Sequence, residues 1–421
     1  MKQGRGSTIL PQSAKRIGRL VSSLALMAAM FLAGIARAEE EEAAKKLAKA
    51  LVGIRFGLLA YLDYSAGEMP LPDGQEQNYN RFAVTRGYFR FSKDFKPWLG
   101  AHLTTDVSQE TKDAQESLSG SYVVRLKYYY AELRPADFGP FTQMRSEIGM
   151  GHIPWLDFEE HVNPYRCQGT MAIERAGVFN SADLGLSLRG NLAGRLEEAE
   201  NKTGNKHDDG RYGSWHLGGY NGGGYAAEEK NQNKVIEGRL TLRPLPSVIP
   251  GLQLSYFGLY GEGNRVKGEE IGGITLTQVP AYVVHLGMLS YEHPWLTLTG
   301  QYFITRGNAP GAWVDTGGKV LDTMGYSGFF RLTLPGTRQK LSAFGRYDYF
   351  DGDADQRYSD QAAYRMWLAG LAYDIYQGNL LLADYETTDY QDDSGGKTQP
   401  PVIGNDLGHE TRWQVVLQIK L

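Results

Sequence analysis

TRWQVVLQIKL, residues 411–421, spaces Trp413, Val415, Leu417, Ile419 and Leu421 two apart, with Gln414, Val416, Gln418 and Lys420 between them. Successive side chains of a strand point to opposite faces, so this segment reads as a strand with one apolar and one mostly polar face. The same period of two recurs upstream. From residue 52 the chain divides into segments of about ten residues of alternating polarity, separated by irregular stretches. Sixteen such segments lie near 53–64, 82–92, 98–107, 121–133, 142–152, 182–191, 211–220, 234–244, 252–262, 281–291, 295–305, 325–334, 339–349, 364–375, 379–389 and 411–421.

The connections carry the next signal. Those at 93–97, 134–141, 244–251, 293–294, 335–338 and 377–378 are short; the polar stretches at 65–81, 108–120, 153–181, 221–233, 263–280, 306–324, 350–363 and 390–410 are long. Short and long alternate as an even-stranded barrel with both chain ends on one side requires. One connection breaks the order. Residues 192–210 should form a short turn, yet they include EEAENKTGNKHDDG, which marks the place where a strand pair is open to misassignment.

After residue 38 no apolar stretch approaches the roughly 20 residues of a membrane-crossing helix, while tyrosine (26) and glycine (52) are abundant. A chain that spans lipid without helices must close its sheet, because lipid satisfies no backbone hydrogen bond. The fold class is therefore read as all-β, a transmembrane antiparallel β-barrel of about 16 strands, against a soluble all-β protein as the competing class. Trp98, Tyr291, Trp295, Tyr349, Tyr376 and Trp413, near strand ends, suit the aromatic girdles of such a barrel. The final strand resembles the C-terminal signal by which outer-membrane barrels are recognised for assembly, except that Leu421 stands where phenylalanine is commoner.

Residues 1–38 hold no acid, and Lys2, Arg5, Lys15, Arg16 and Arg19 precede an apolar run from Leu20 to Ile35 that ends in Ala36-Arg37-Ala38. That order is a secretory signal peptide with a small-x-small cleavage site, which starts the mature chain at Glu39 and directs the barrel at 52–421 to the outer membrane. Residues 39–51, EEEEAAKKLAKAL, place acids first and lysines later, the order that suits a helix dipole. They read as a short N-terminal periplasmic helix. The whole chain has 44 basic and 48 acidic residues; the six bases within 1–38 leave 38 against 48, or about −10. An acidic chain argues against nucleic acid as a partner. Cys167 is the only cysteine, so no internal disulfide forms, and neither CxxC nor CxxCH is present for a metal or haem. No cofactor is expected.

Strand facing gives the candidate pore lining. Ala182, Leu184, Leu186 and Leu188 are expected toward lipid, opposite Asp183, Ser187 and Arg189; Val124, Leu126 and Tyr128 oppose Arg125 and Lys127; Leu341, Ala343 and Tyr347 oppose Lys340, Ser342, Arg346 and Asp348. Extended strand by strand, the inward bases are Arg55, Arg86, Arg90, Arg125, Lys127, Arg145, Arg189, Arg239, Arg243, Arg331, Lys340 and Arg346. The inward acids are Asp63, Glu147, Asp183, Glu237, Asp348, Asp384 and Glu386. Bases ringing a low-dielectric pore concentrate anions. The same charges can instead pair across strands and brace the wall, and both readings stand at this point.

The connection 153–181 reads IPWLDFEEHVNPYRCQGTMAIERAGVFNS. Asp157, Glu159, Glu160, Arg166, Glu174 and Arg175 give it both signs of charge, and Trp155, Phe158 and Tyr165 offer apolar anchors. A loop this long in a compact protein is functional or disordered. Its aromatics favour a constriction loop folded into the barrel, with an external lid as the alternative.

Gly149, Pro154 followed by Trp155, Glu160, Glu174-Arg175, and Asp183-Leu184-Gly185-Leu186-Ser187-Leu188-Arg189-Gly190 resemble the central region of the phosphate-selective porin family, the O and P type. The likeness is clear over about 45 residues; elsewhere it lies in architecture, strand count and the leading segment. It implies a 16-stranded, usually trimeric outer-membrane channel in lipid, with some members selective for phosphate or polyphosphate through lining arginines and lysines. Arg175 alone is matched by motif.

Catalytic readings fare poorly. Asp393-Ser394-Gly395-Gly396 lacks the context of a serine-protease motif, and Glu159-Glu160-His161 lacks HExxH spacing for a metal. The expected activity is passive diffusion of small hydrophilic, anion-preferring solutes through a homotrimeric porin rather than catalysis. The alternative is a barrel that sheathes a periplasmic or surface cytochrome.

Overall fold

The structure is a computed structural model that describes residues 52–71, 75–109 and 120–421; the signal peptide and leader helix expected at 1–51 lie outside the described residues. Alternating polarity closes into one antiparallel barrel. Its strands are β1 (Ile54–Pro70), β2 (Glu76–Lys96), β3 (Leu99–Gln109), β4 (Tyr122–Leu133), β5 (Phe141–His152), β6 (Ala182–Leu192), β7 (Gly213–Tyr220), β8 (Val235–Leu242), β9 (Leu252–Glu262), β10 (Ala281–His293), β11 (Leu296–Arg306), β12 (Asp322–Thr333), β13 (Leu341–Asp351), β14 (Ala363–Tyr376), β15 (Asn379–Tyr390) and β16 (His409–Lys420). The last strand pairs with the first, Leu59 opposite Lys420 through Glu68 opposite Thr411. Closure leaves no open sheet edge.

All sixteen expected segments fall on these strands, and β1 and β2 run further toward the long-connection end than the sequence suggested. No strand pair is misplaced at 192–210. β6 and β7 pair directly, Gly185 opposite Tyr220 through Asn191 opposite Ser214, and the long turn between them is real. Among the described residues the helical pieces are α1 (Leu156–Val162), a 3-10 turn at Arg166–Gln168 and α2 (Ala172–Arg175) within the connection 153–181, and α3 (Ala199–Thr203) in the turn between β6 and β7.

Outward side chains form an apolar belt in which Leu186, Leu217, Leu254, Leu289, Leu371 and Trp413 are all exposed. Apolar surface of this extent calls for lipid rather than water around it. Leu186→Arg, at the middle of β6, should therefore cost about 2–4 kcal/mol, measured as a lower denaturant midpoint of the refolded barrel in vesicles. An unchanged midpoint would refute the lipid assignment of this face.

Two local corrections to strand facing follow from the register. Thr104 pairs with Tyr128 but Thr105 with Leu126, so Lys127 is the extra residue of a bulge. The bulge turns Tyr128 into the lumen, where its ring stacks on His152 at 4.0 Å, instead of toward lipid. Ala182, also expected toward lipid, is fully buried.

The inner wall has two different halves. Inward residues of β8 to β15 include the large buried apolar side chains Phe257, Tyr282, Leu286, Phe303, Phe344 and Met366, among polar ones such as Arg239, Gln301, Arg346 and Glu386. Those of β2 to β7 are polar or charged, including Lys127, Glu147 and His216. The apolar half carries the inner loop.

Candidate pore constriction

Residues 153–181 leave the wall at a braced neck. Ile153 N–H donates to the Ser181 carbonyl at 3.3 Å, Tyr220 Oη to the His152 carbonyl at 2.7 Å and Arg239 Nε to the Pro154 carbonyl at 3.0 Å. The Tyr220 ring needs two glycines beneath it: a Cβ at Gly185 or Gly218 would come within 2.6 and 2.5 Å of that ring. Asp183 accepts from the N–H groups of Leu184 and Gly222 at 2.7 and 2.5 Å. The Asp-Gly pattern of 183–190 thus serves the neck.

From there the chain lies on inward-facing side chains across the barrel. Trp155, Leu156, Phe158, Met171, Ile173 and Val178 are buried in one cluster with the apolar half of the wall. The Trp155 ring is 5.8 Å from Phe257, and its Nε1 donates to Glu159 Oε2 at 2.7 Å. Gln301 of β11 donates to the other Glu159 oxygen at 2.6 Å. Burial pushes the Glu159 carboxyl up to about 7 against the pull of Arg346 and these two donors. Glu159, one of the charges that the sequence gives to the loop, faces the wall as an anchor. Cys167 is buried in a second cluster with Tyr61, Tyr165 and Phe344, and burial raises its thiol to about 12.

Several of the arginines expected to line the pore are struts between loop and wall. Arg175 pairs with Glu386 at 2.9 Å and touches Met366 Sδ. Arg346 grips Asp348 and donates to the Thr170 carbonyl at 2.7 Å. Arg239 reaches Asp208 at 3.0 Å as well as the loop neck. Arg331 donates to the turn carbonyls of His293 and Pro294. Arg175, Arg239 and Arg346 are each less than a tenth exposed. A buried guanidinium without a partner is costly, and each of these is partnered by carboxylate, carbonyl or both.

The other bases face the loop from β2, β4, β5 and β6. Lys127 Nζ donates to Tyr88 Oη at 2.5 Å, and Arg86 donates to the same oxygen. The guanidinium carbons of Arg86 and Arg90 lie 5.0 and 5.6 Å from the Tyr88 ring centre, and Lys127 Nζ lies 4.6 Å from it. One tyrosine thus gathers three basic side chains, by hydrogen bond and through its ring face. Arg125 pairs with Asp106 at 2.9 Å, Arg145 approaches Glu132 at 3.8 Å, and Arg189 spans Glu147 at 2.8 Å and Asp157 at 3.1 Å. Opposite, Arg166 of the loop holds Glu160 at 2.7 Å and Glu174 at 2.9 Å. Burial opposes ionisation of Glu160, but the positive charges of Arg166, Arg86 and Lys127 hold it below the usual range. The sequence reading had no means of finding Tyr88, because it searched inward faces for charge.

The long turn between β6 and β7 also reaches this region, a feature with no sequence signal beyond its length. Asn205 donates to the His161 carbonyl at 3.1 Å, His161 Nδ1 lies 3.3 Å from Asp208, and the His161 and His207 rings stack at 3.8 Å. Burial and the charge of Arg189 oppose protonation of His161, yet Asp157 and Asp208 raise it above its ordinary value. A base raised on folding adds stability below its unfolded value of about 6.5 and loses it as pH rises through the folded value. The tie between α1 and the turn should therefore loosen above neutrality. Faster protease cleavage of the turn at pH 9 than at pH 6, abolished in His161→Gln, is the expected result; equal rates at both pH values would disprove it.

A closed sixteen-stranded barrel with a long connection lying on its inner wall has the architecture of a porin-type channel. The anion-selective porin of Comamonas acidovorans shares it with a TM-score of 0.56 at 14% identity, over 87% of this chain and 100% of that one. So do OmpF of Salmonella typhi, in complex with daunomycin (0.55, 11%, over 87% and 97%), and the trimer form of OmpT, an outer membrane protein of Vibrio cholerae (0.52, 10%, over 87% and 99%). At such identities the likeness is one of fold. No protein-family model and no curated protein sequence matches the chain.

Proposed function

We propose that this chain is an outer-membrane porin, exported by its signal peptide and cleaved after Ala38, through which small hydrophilic solutes diffuse with a preference for anions. The observation that carries the preference is the cluster on Tyr88. Among the described residues, Arg86, Arg90 and Lys127 form no ion pair with any carboxylate, and together with Arg166 they face only two acids of the loop segment opposite, Glu160 and Glu174. Unmatched bases inside low-dielectric walls concentrate anions. Phosphate, the solute class of the resembling family, suits such a cluster because its oxygens accept from several donors at once. A homotrimer is proposed on the same resemblance.

The cytochrome-sheath reading loses ground because residues 153–181 and the turn at 193–212 lie where an enclosed partner would have to sit. The test is the reversal potential of the purified barrel in a planar bilayer under a potassium chloride gradient. An anion-biased potential and a chloride current reduced by added phosphate are expected. A cation-biased potential would sink the anion preference.

A further inference from the structure

The first, second and last strands meet at the seam where the barrel closes, and at its long-connection end they bring together three side chains able to hold a metal. Glu68 lies near the end of β1, Glu76 opens β2 and His409 opens β16. His409 Nδ1 is 3.1 Å from Glu76 Oε1, and Nε2 is 3.8 Å from Glu68 Oε2. One donor atom from each of the three residues lies within 4.8 Å of the other two.

Among the described residues neither Glu68 nor Glu76 pairs with a lysine or arginine, and the single imidazole is their shared partner. Two like charges held this close repel. All three side chains are 39–46% exposed, so small rotations can bring their donors onto one centre.

We propose that Glu68, Glu76 and His409 bind a divalent ion of the zinc class. The donor set decides the class. One imidazole nitrogen with two carboxylate oxygens suits zinc and its transition-series neighbours, whereas calcium and magnesium favour oxygen alone. Three protein ligands leave the fourth tetrahedral position to water. The ion joins both N-terminal strands of the barrel to its last strand, so it favours the closed barrel over the unfolded chain by mass action. The site lies apart from the pore cluster and stands or falls independently of the transport reading.

The test is calorimetric titration of zinc into the refolded, chelator-stripped barrel in detergent at pH 7.5, with calcium titrated alongside. Saturable binding of one zinc per chain, no matching calcium isotherm and a raised unfolding temperature are expected. His409→Ala and Glu76→Gln should each weaken binding by more than about tenfold, since even the loss of an outer contact to a ligand costs that much. Heat-modifiable migration shows that the variants fold, which separates lost binding from lost structure. No saturable zinc binding, or equal binding by folded His409→Ala, would overturn the site. A metal-free barrel destabilised by His409→Ala, with zinc adding nothing to the wild type, would mean a plain histidine–carboxylate pairing and would equally overturn it.

Discussion

Trp155→Ala is expected to free the inner loop and raise single-channel conductance while the barrel stays closed. Trp155 is fully buried, packs on Phe158 and Phe257, and supplies one of the two side-chain donors that hold Glu159. Truncating a buried tryptophan costs about 3–5 kcal/mol. Here the loss falls on the loop rather than the wall. The barrel's ladders run strand to strand without using the loop, so closure survives its release. Glu159 would keep only Gln301, and burial already disfavours its charge. The measurement is conductance in planar bilayers together with trypsin cleavage after Arg166 and Arg175, which are buried in the closed arrangement. Wild-type conductance with both arginines still protected would refute the claim that this tryptophan holds the loop.

The fold was legible because one physical rule covers most of the chain. A strand between lipid and water writes a period of two, and alternating short and long connections fix the number of strands. The rule fails where a strand's inner face meets protein instead of water. Tyr282, Val284, Leu286 and Met288 of β10 face inward and are buried in one cluster with the loop, so the inner face of that strand reads as apolar over its first eight residues. Such inward apolar side chains recur on β9, β11, β13 and β14, in Phe257, Phe303, Phe344 and Met366, and they form one surface only when strands far apart in sequence are compared.

The site was legible only in part, for a related reason. Facing gives the side of the wall on which a base lies but not what it touches. Arg239 and Arg346 face inward like Arg86, yet the loop covers them and supplies a carbonyl to each, while Arg175 belongs to the loop itself and is spent on Glu386 of the wall. The bulge at Lys127 shifts the phase within β4, and no residue there announces it. The turn at 193–212 looked like an error of assignment because its folding back onto α1 depends on contacts to His161 that no local pattern encodes.

Replacing Arg86 and Lys127 together by alanine is expected to abolish the anion preference. A unit charge about 4 Å from a passing ion contributes about 1 kcal/mol in a water-like dielectric and several times that between protein walls. Taking the lower figure, two charges favour a passing anion by about 2 kcal/mol, or roughly thirtyfold in its local concentration at low salt, and disfavour a cation by as much. Screening over about 10 Å at 0.1 M reduces this to on the order of tenfold. Either single variant should give an intermediate ratio, because both cations share one hydroxyl and act on the same space. Arg175→Ala and Arg346→Ala are the contrasting pair. Both remove buried partners of a carboxylate, and breaking such a pair costs about 3–5 kcal/mol when the remaining charge is left alone. Asp348 would keep only the Ser327 hydroxyl, whereas Glu386 retains Arg412 and Lys397. Arg346→Ala should therefore lower the unfolding midpoint more than Arg175→Ala does, with little change of selectivity in either. Reversal potentials and denaturant midpoints of the four variants separate the two roles. If the strut variants change the permeability ratio and the Tyr88 cluster does not, anions are selected elsewhere in the lumen.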